Sequence, residues 1–204
     1  MRITLQQVSK SFGRETVIKD VDRVFEPGSR TAILGPNGSG KSTLLQLIGG
    51  FTIPTKGTVT HELNGKAIDP EHVYRHISIA APYMSLYEEL SLREAIASHR
   101  RFKPLRGNLA VEEVARIALL EKHLDKPVRD FSSGMKQRLK LALAVLSDTS
   151  LLLLDEPTSN LDGNGSAWFR ELLQANMEGR TLVVASNRQV EETFACAASV
   201  EMGV

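Results

Sequence analysis

Gly35-Pro36-Asn37-Gly38-Ser39-Gly40-Lys41-Ser42 settles the class of this protein, because it satisfies G-x-x-x-x-G-K-[ST] at every defined position. Glycines let the backbone turn where other residues are forbidden, so successive amides point inward at phosphate oxygens. Lys41 supplies a point charge for the β and γ phosphates, and Ser42 a hydroxyl for Mg²⁺. The helix expected after the loop directs its positive end at the anion. A chance Gly-rich turn is the bland alternative, and the flanks argue against it: Thr31-Ala32-Ile33-Leu34 reads as a buried strand, and Ser42 to Ile48 as a buried helix ended by Gly49-Gly50.

Working outward, Leu151-Leu152-Leu153-Leu154-Asp155-Glu156 supplies the other half of such a site. An apolar strand delivers Asp155 to the carboxyl edge of a sheet, where it can hold Mg²⁺ through water. Glu156 is placed to accept a proton from an attacking water. Thr181 to Ala185 is a further buried strand, and a helix around Trp168, Leu172 and Leu173, ending at Gly179, leads into it. Strands alternating with helices predict an α/β fold with a largely parallel sheet. The N-terminal segment reads differently. Ile3, Leu5 and Val8, then Val21 to Phe25, then Val59 to Leu63 closed by Asn64-Gly65, suggest strands and a hairpin. The middle is helical: Ser91 with Glu94 forms a capping box, and Val111, Val114, Ala115, Ala118 and Leu119 recur at helical spacing. Met135, Leu139, Ala142, Leu143 and Leu146 trace another apolar helix face.

The 204 residues carry 25 Lys+Arg against 24 Asp+Glu, a net charge of +1, which gives no support to nucleic-acid binding by bulk electrostatics. The single Cys196 excludes an intramolecular disulfide and suits a reducing compartment. The most apolar stretch, Leu139 to Leu154, is broken by Lys140, Ser147, Asp148, Thr149 and Ser150, whereas a spanning helix needs about 20 mostly uncharged residues. No signal-peptide core is visible at the N-terminus, so a cytoplasmic protein is expected.

Taken in order, these segments resemble the ATP-binding cassette (ABC) family, the ATPase subunits of ABC transporters. Gly35 to Thr43 matches its phosphate loop, including Asn37 and the Ser42-Thr43 pair. Phe12 sits where the family stacks an aromatic ring on adenine. Phe131-Ser132-Ser133-Gly134-Met135 occupies the signature position, Leu151 to Pro157 the magnesium strand and catalytic glutamate, and Ser159-Asn160-Leu161-Asp162 the D-loop. The resemblance implies one P-loop NTPase domain over residues 1–204. Its parts would be a RecA-like core sheet, an N-terminal antiparallel β subdomain and a helical subdomain, with the core at 1–82 and 141–204 and the helical part near 83–140. It implies ATP and Mg²⁺ as cofactors and a head-to-tail dimer, of two copies of this chain or a mixed pair, in which Ser132, Ser133 and Gly134 reach the γ-phosphate held by the opposite subunit's Lys41. It also implies integral membrane permease partners and a peripheral position on the inner face of the cell membrane.

Three departures bear on turnover. The family's Gln falls near Ala81-Pro82-Tyr83, where there is none, and proline has no N–H to donate. The switch His is Asn187, which can donate to a γ-phosphate but cannot carry a proton. Ser133 and Met135 replace a Gly and a Gln in the signature. Slow ATP hydrolysis is therefore expected, with a low-turnover regulatory module of ABC type as the alternative. A non-transport ABC protein acting on ribosomes or DNA is a third reading, without the paired cassettes or long inserted helices it usually shows. His72 and His76, four apart, lack a third ligand of matching spacing, and the basic run Arg100, Arg101, Lys103 and Arg106 reads as a solvated face or as a contact for anionic lipid or an acidic partner loop. Trp168 with Leu172 and Leu173 is expected to be core.

Overall fold

In the computed structural model, which describes residues 1–203, the chain runs β1 (Arg2–Phe12), β2 (Glu15–Phe25), β3 (Arg30–Leu34), α1 (Lys41–Ile48), β4 (Lys56–Leu63), β5 (Lys66–Ala67) and β6 (Ile77–Ala80). It continues α2 (Leu92–Phe102), α3 (Val111–Ile117), α4 (Ser133–Leu146), β7 (Leu151–Asp155), α5 (Gly163–Ala175), β8 (Thr181–Ser186), α6 (Val190–Thr193) and β9 (Ala198–Glu201). These group into two compact units: residues 1–77, 149–156 and 178–203, and residues 78–148 and 157–177.

The first unit holds two sheets. One is antiparallel, in the order β2-β1-β4-β5. Ile3 and Leu5 are buried by alternation, but the next buried residue is Val8 rather than position 7. The cause is a bulge, since the pairing register shifts between Leu5 and Val8 and Gln7 takes φ 49°. Gly57 on β4 is shaped to this bulge, because a Cβ there would lie 2.3 Å from the carbonyl oxygens of Gln6 and Gln7. Asn64 and Gly65, both at positive φ, close the expected β4–β5 hairpin.

The other sheet has the order β6-β7-β8-β3-β9, and β7, β8, β3 and β9 pair in parallel. Every residue of β7 and β8 is buried, as strands covered on both faces require, and their near-continuous apolar runs follow from that. Helix α1 packs on β7 and β8 with Leu44, Leu45, Leu47 and Ile48 buried. Truncating such a leucine to alanine typically costs about 2–5 kcal/mol.

The second unit is built on α2, α3, α4 and α5, packed in successive pairs. Ser91 and Glu94 complete the expected capping box of α2, with the Glu94 N–H donating to Ser91 Oγ and the Ser91 N–H to Glu94 Oε2. Two expectations are corrected here. Leu119 lies beyond the end of α3 at φ 57° and is exposed, so it is not on the buried face with Val114, Ala115 and Ala118. Helix α5 ends at Ala175 rather than Gly179, and Phe169 is its fully buried aromatic, while Trp168 is half-buried and its indole N–H donates to the Ile117 carbonyl. Among the described residues, no helix is long and apolar enough to cross a membrane, and no cluster of three metal-ligating side chains includes His72 or His76.

Candidate nucleotide site

Sheet register assembles the site. Leu34 at the end of β3 pairs with Ser186 at the end of β8, and Asp155 at the end of β7 pairs with Ala185. Gly35, Glu156 and Asn187 therefore leave the sheet from one edge, the carboxyl edge at which open α/β sheets hold ligands.

From β3 the chain enters the 35–42 loop. Gly40 is the N-cap of α1 at φ 90°, a left-handed backbone, and no side chain caps the helix. Its missing Cβ also makes room for β2, since a Cβ would lie 2.9 Å from Val17 Cγ1 and 3.1 Å from Ile18 Cδ1. Lys41 is buried, and its ammonium donates to the Gly35 and Pro36 carbonyls, each at 2.9 Å. A cleft of about 250 Å³ is lined by Val17, Asn37, Gly38, Gly40, Lys41, Ser42, Thr43 and Glu156. Val17 had no motif to announce it in the sequence; it enters through the pairing of β2 and the space left by Gly40.

Opposite the loop, Asp155 is buried and its Oδ2 has no hydrogen-bond partner. Burial pushes its carboxyl above the ordinary value; the Ser42 hydroxyl, bonded to it, opposes the rise, the Glu156 carboxylate adds to it, and the Lys41 ammonium opposes it. A buried carboxylate oxygen with an unmet acceptor, next to a serine hydroxyl, is the donor set a hard divalent cation takes. The buried Ser39 Oγ is also unpartnered, in a loop whose amides and lysine suit an anion. The residues present therefore fit a magnesium-bound triphosphate. Glu156 adopts φ 44°, uncommon for a non-glycine residue, and its N–H donates to the Ala185 carbonyl at 2.9 Å. Glu156 lines the cleft, and that backbone bond works against a conformational preference of about 1 kcal/mol or more.

The remaining expected residues fall elsewhere. Phe12 and Asn187 belong to the same unit but do not line the cleft; both are exposed. Ser132, Ser133 and Gly134 lie in the second unit at the start of α4. Ser132 is the N-cap there, its Oγ accepting from the Met135 N–H, and it and Ser133 are exposed. Pro82 and Tyr83 are exposed in a turn after β6. Gln137, in the Lys136-Gln137-Arg138-Leu139 stretch that continues the signature segment, is buried in α4, and its amide donates to the Pro157 carbonyl at 2.7 Å.

The family model described as ABC transporter matches residues 18–159, from the middle of β2 through the phosphate loop, signature and magnesium strand. The chain belongs to the ABC transporter family. It is similar to the lantibiotic transport ATP-binding protein SrtF of Streptococcus pyogenes, 33% identical over 191 residues that cover 91% of this chain and 80% of that protein. It is also similar to the sulfate/thiosulfate import ATP-binding protein CysA of Thermosynechococcus vestitus, 37% identical over 84% of this chain and 53% of that one. Among solved structures, an ATP-binding subunit of an ABC transporter superposes with a TM-score of 0.84 at 26% identity, covering 99% of this chain and 86% of that one. A dimeric bacterial ABC transporter cassette superposes at 0.83 and 26%, covering 98% and 94%. The α/β architecture of this cassette, with its parallel and antiparallel sheets and its helical unit, is that of the ABC ATPases.

Proposed function

We propose that this chain is the ATP-hydrolysing subunit of an ABC transporter, one domain that pairs with a second ABC ATPase and drives a separate membrane permease. The observation that carries this is the sheet register that sets the 35–42 loop, Asp155 and Glu156 at one edge, beside the unpartnered Asp155 oxygen. In this reading Phe12 stacks on adenine, and the loop from Gly35 to Thr43 surrounds the phosphates, with every residue except Pro36 able to offer a backbone N–H. On nucleotide arrival Lys41 exchanges its two carbonyl partners for β- and γ-phosphate oxygens. Ser42, and Asp155 through water, would hold Mg²⁺, which when bound would neutralise negative charge on the phosphate oxygens. Glu156 orients a water and takes its proton at a carboxylate oxygen, while Asn187 donates to the γ-phosphate. Ser132, Ser133 and Gly134 reach that phosphate from the partner subunit, so ATP joins the two and hydrolysis releases them.

Attachment to a permease is supported by the second unit, where an apolar groove of about 330 Å³ includes Met84, Leu86, Tyr87 and Phe102 in its lining. Tyr87 and Phe102 are 75% and 79% exposed, which is unusual for rings without a partner. A peripheral position on the inner face of the cell membrane follows from such a partner. Pro82 and Asn187 favour a second reading, an ABC-type regulatory module with little turnover. Calorimetry and light scattering with MgATP test the first reading. Binding that draws two chains together, with phosphate release above background, supports it; no binding and no pairing overturn it. Binding without release favours the regulatory module.

A further inference from the structure

Lys10 and Phe12 lie two residues apart near the end of β1, and the Lys10 ammonium sits over the Phe12 ring, 5.1 Å from its centroid. The ammonium is not free to wander. It donates to the Ile53 carbonyl at 2.8 Å, in a turn that is itself tied to β1: the Ser11 N–H donates to Thr55 Oγ1, and the Thr55 N–H to the Ser9 carbonyl. Phe12 is 53% exposed, so with the cation on one face the ring still offers surface to solvent.

We propose that Lys10 is a positioning residue for the nucleobase: it occupies one face of Phe12, fixes the ring's orientation, and leaves the opposite face as the purine platform. The inference rests on the reading of Phe12 as the adenine-stacking residue. The physical content is twofold. A ring pinned by a cation anchored to the backbone loses less rotamer freedom when a base stacks on it. A cation on the far face also draws π density away from the near face, which improves contact with an electron-rich purine. No phosphate contact is involved, and that separates this role from the general attraction of any lysine for ATP.

The test titrates MgATP and magnesium tripolyphosphate, which has the phosphates but no base, into the full chain and its Phe12→Ala, Lys10→Met and Lys10→Arg variants. Met keeps the aliphatic packing and removes the charge; Arg keeps a cation that can lie over the ring and donate to Ile53. The expected result is that Phe12→Ala weakens MgATP about tenfold, that Lys10→Met weakens it about three- to fivefold, that Lys10→Arg restores it, and that tripolyphosphate binds all four alike. Full MgATP affinity in Lys10→Met, with Phe12→Ala still impaired, overturns the inference and leaves the adenine reading standing. Equal losses of ATP and tripolyphosphate in Lys10→Met overturn it too, by making Lys10 an electrostatic attractor. Unchanged MgATP affinity in Phe12→Ala removes the adenine platform and the inference with it.

Discussion

The side-chain amide of Gln137 donates to the carbonyl of Pro157 at 2.7 Å, and both groups are buried. Pro157 directly follows Glu156, while Gln137 lies in α4, three residues after Gly134. One hydrogen bond therefore ties the helix that starts at the signature to the segment that continues from the candidate general base. Replacing Gln137 with Leu keeps much of the volume and strands the Pro157 carbonyl. The expected cost is about 1–3 kcal/mol of stability, read from the urea midpoint. A Gln137→Leu protein with wild-type stability would show that water replaces the amide without penalty.

Gly40 meets two demands at once, a left-handed φ of 90° and close contact with Val17. Gly40→Ala is expected to weaken MgATP binding at least tenfold, because the loop must shift both to relieve the backbone and to escape the 2.9 Å contact. Adding Val17→Ala removes the tightest contact and leaves the backbone strain and the 3.1 Å approach to Ile18 Cδ1, so affinity should recover in part and never fully. Titration calorimetry on the single and double variants separates the two causes. Complete recovery in the double variant would assign the whole effect to crowding.

What the sequence disclosed divides along physical lines. The 35–42 loop and the strand ending in Asp155-Glu156 were legible because their chemistry demands particular residues at fixed spacing. The sheet strands β3, β7 and β8 were legible because burial on both faces forces apolar runs. The short strand β9 was not, since its residues are exposed or half-exposed and carry no apolar run. Val17, Lys10 and the partner of Gln137 were not legible because they depend on contacts distant in the chain: with Gly40, the Ile53 carbonyl and the Pro157 carbonyl. On α5 the helical period was read correctly, but which aromatic faces inward depends on packing, and it is Phe169, with Trp168 held instead by the end of α3.

Glu156 combines a strained backbone with a place at the cleft, which suits a group held for chemistry. Glu156→Gln keeps the shape and removes the proton acceptor. Steady-state phosphate release is expected to fall about 10²-fold or to background, with MgATP affinity retained. Unchanged turnover would defeat the assignment.

Asn187 follows β8 directly, exposed at the edge where the strand ends meet. Behind it the buried Ser186 hydroxyl donates to the buried Glu192 carboxylate and accepts from the Gln189 N–H, so the loop's base is anchored. Asn187→His adds reach and a titratable nitrogen to that fixed base. Phosphate release is expected to rise several-fold in that variant. An equal or lower rate would mean that the site is built around the amide.

His99 gives the second unit a pH-dependent stability. Ser147 Oγ already donates to the Leu143 carbonyl at 2.6 Å, so in the 2.9 Å contact with His99 it accepts from Nε2–H. Burial, reinforced by the Lys103 charge and opposed by a backbone bond to Leu143, lowers the imidazole from 6.5 to about 4. Between those two values the unfolded chain binds the proton and the folded one does not, so stability falls as pH drops from 6.5 towards 4 and the full contribution is present above 6.5. Because the ring is half-buried, the loss at pH 4.5 is on the order of 1–2 kcal/mol. His99→Gln keeps a donor for Ser147 and has nothing to titrate. Its urea midpoint should therefore fall less than that of the wild type between pH 7 and pH 4.5, and equal falls in the two proteins would place the acid sensitivity in the carboxylates instead.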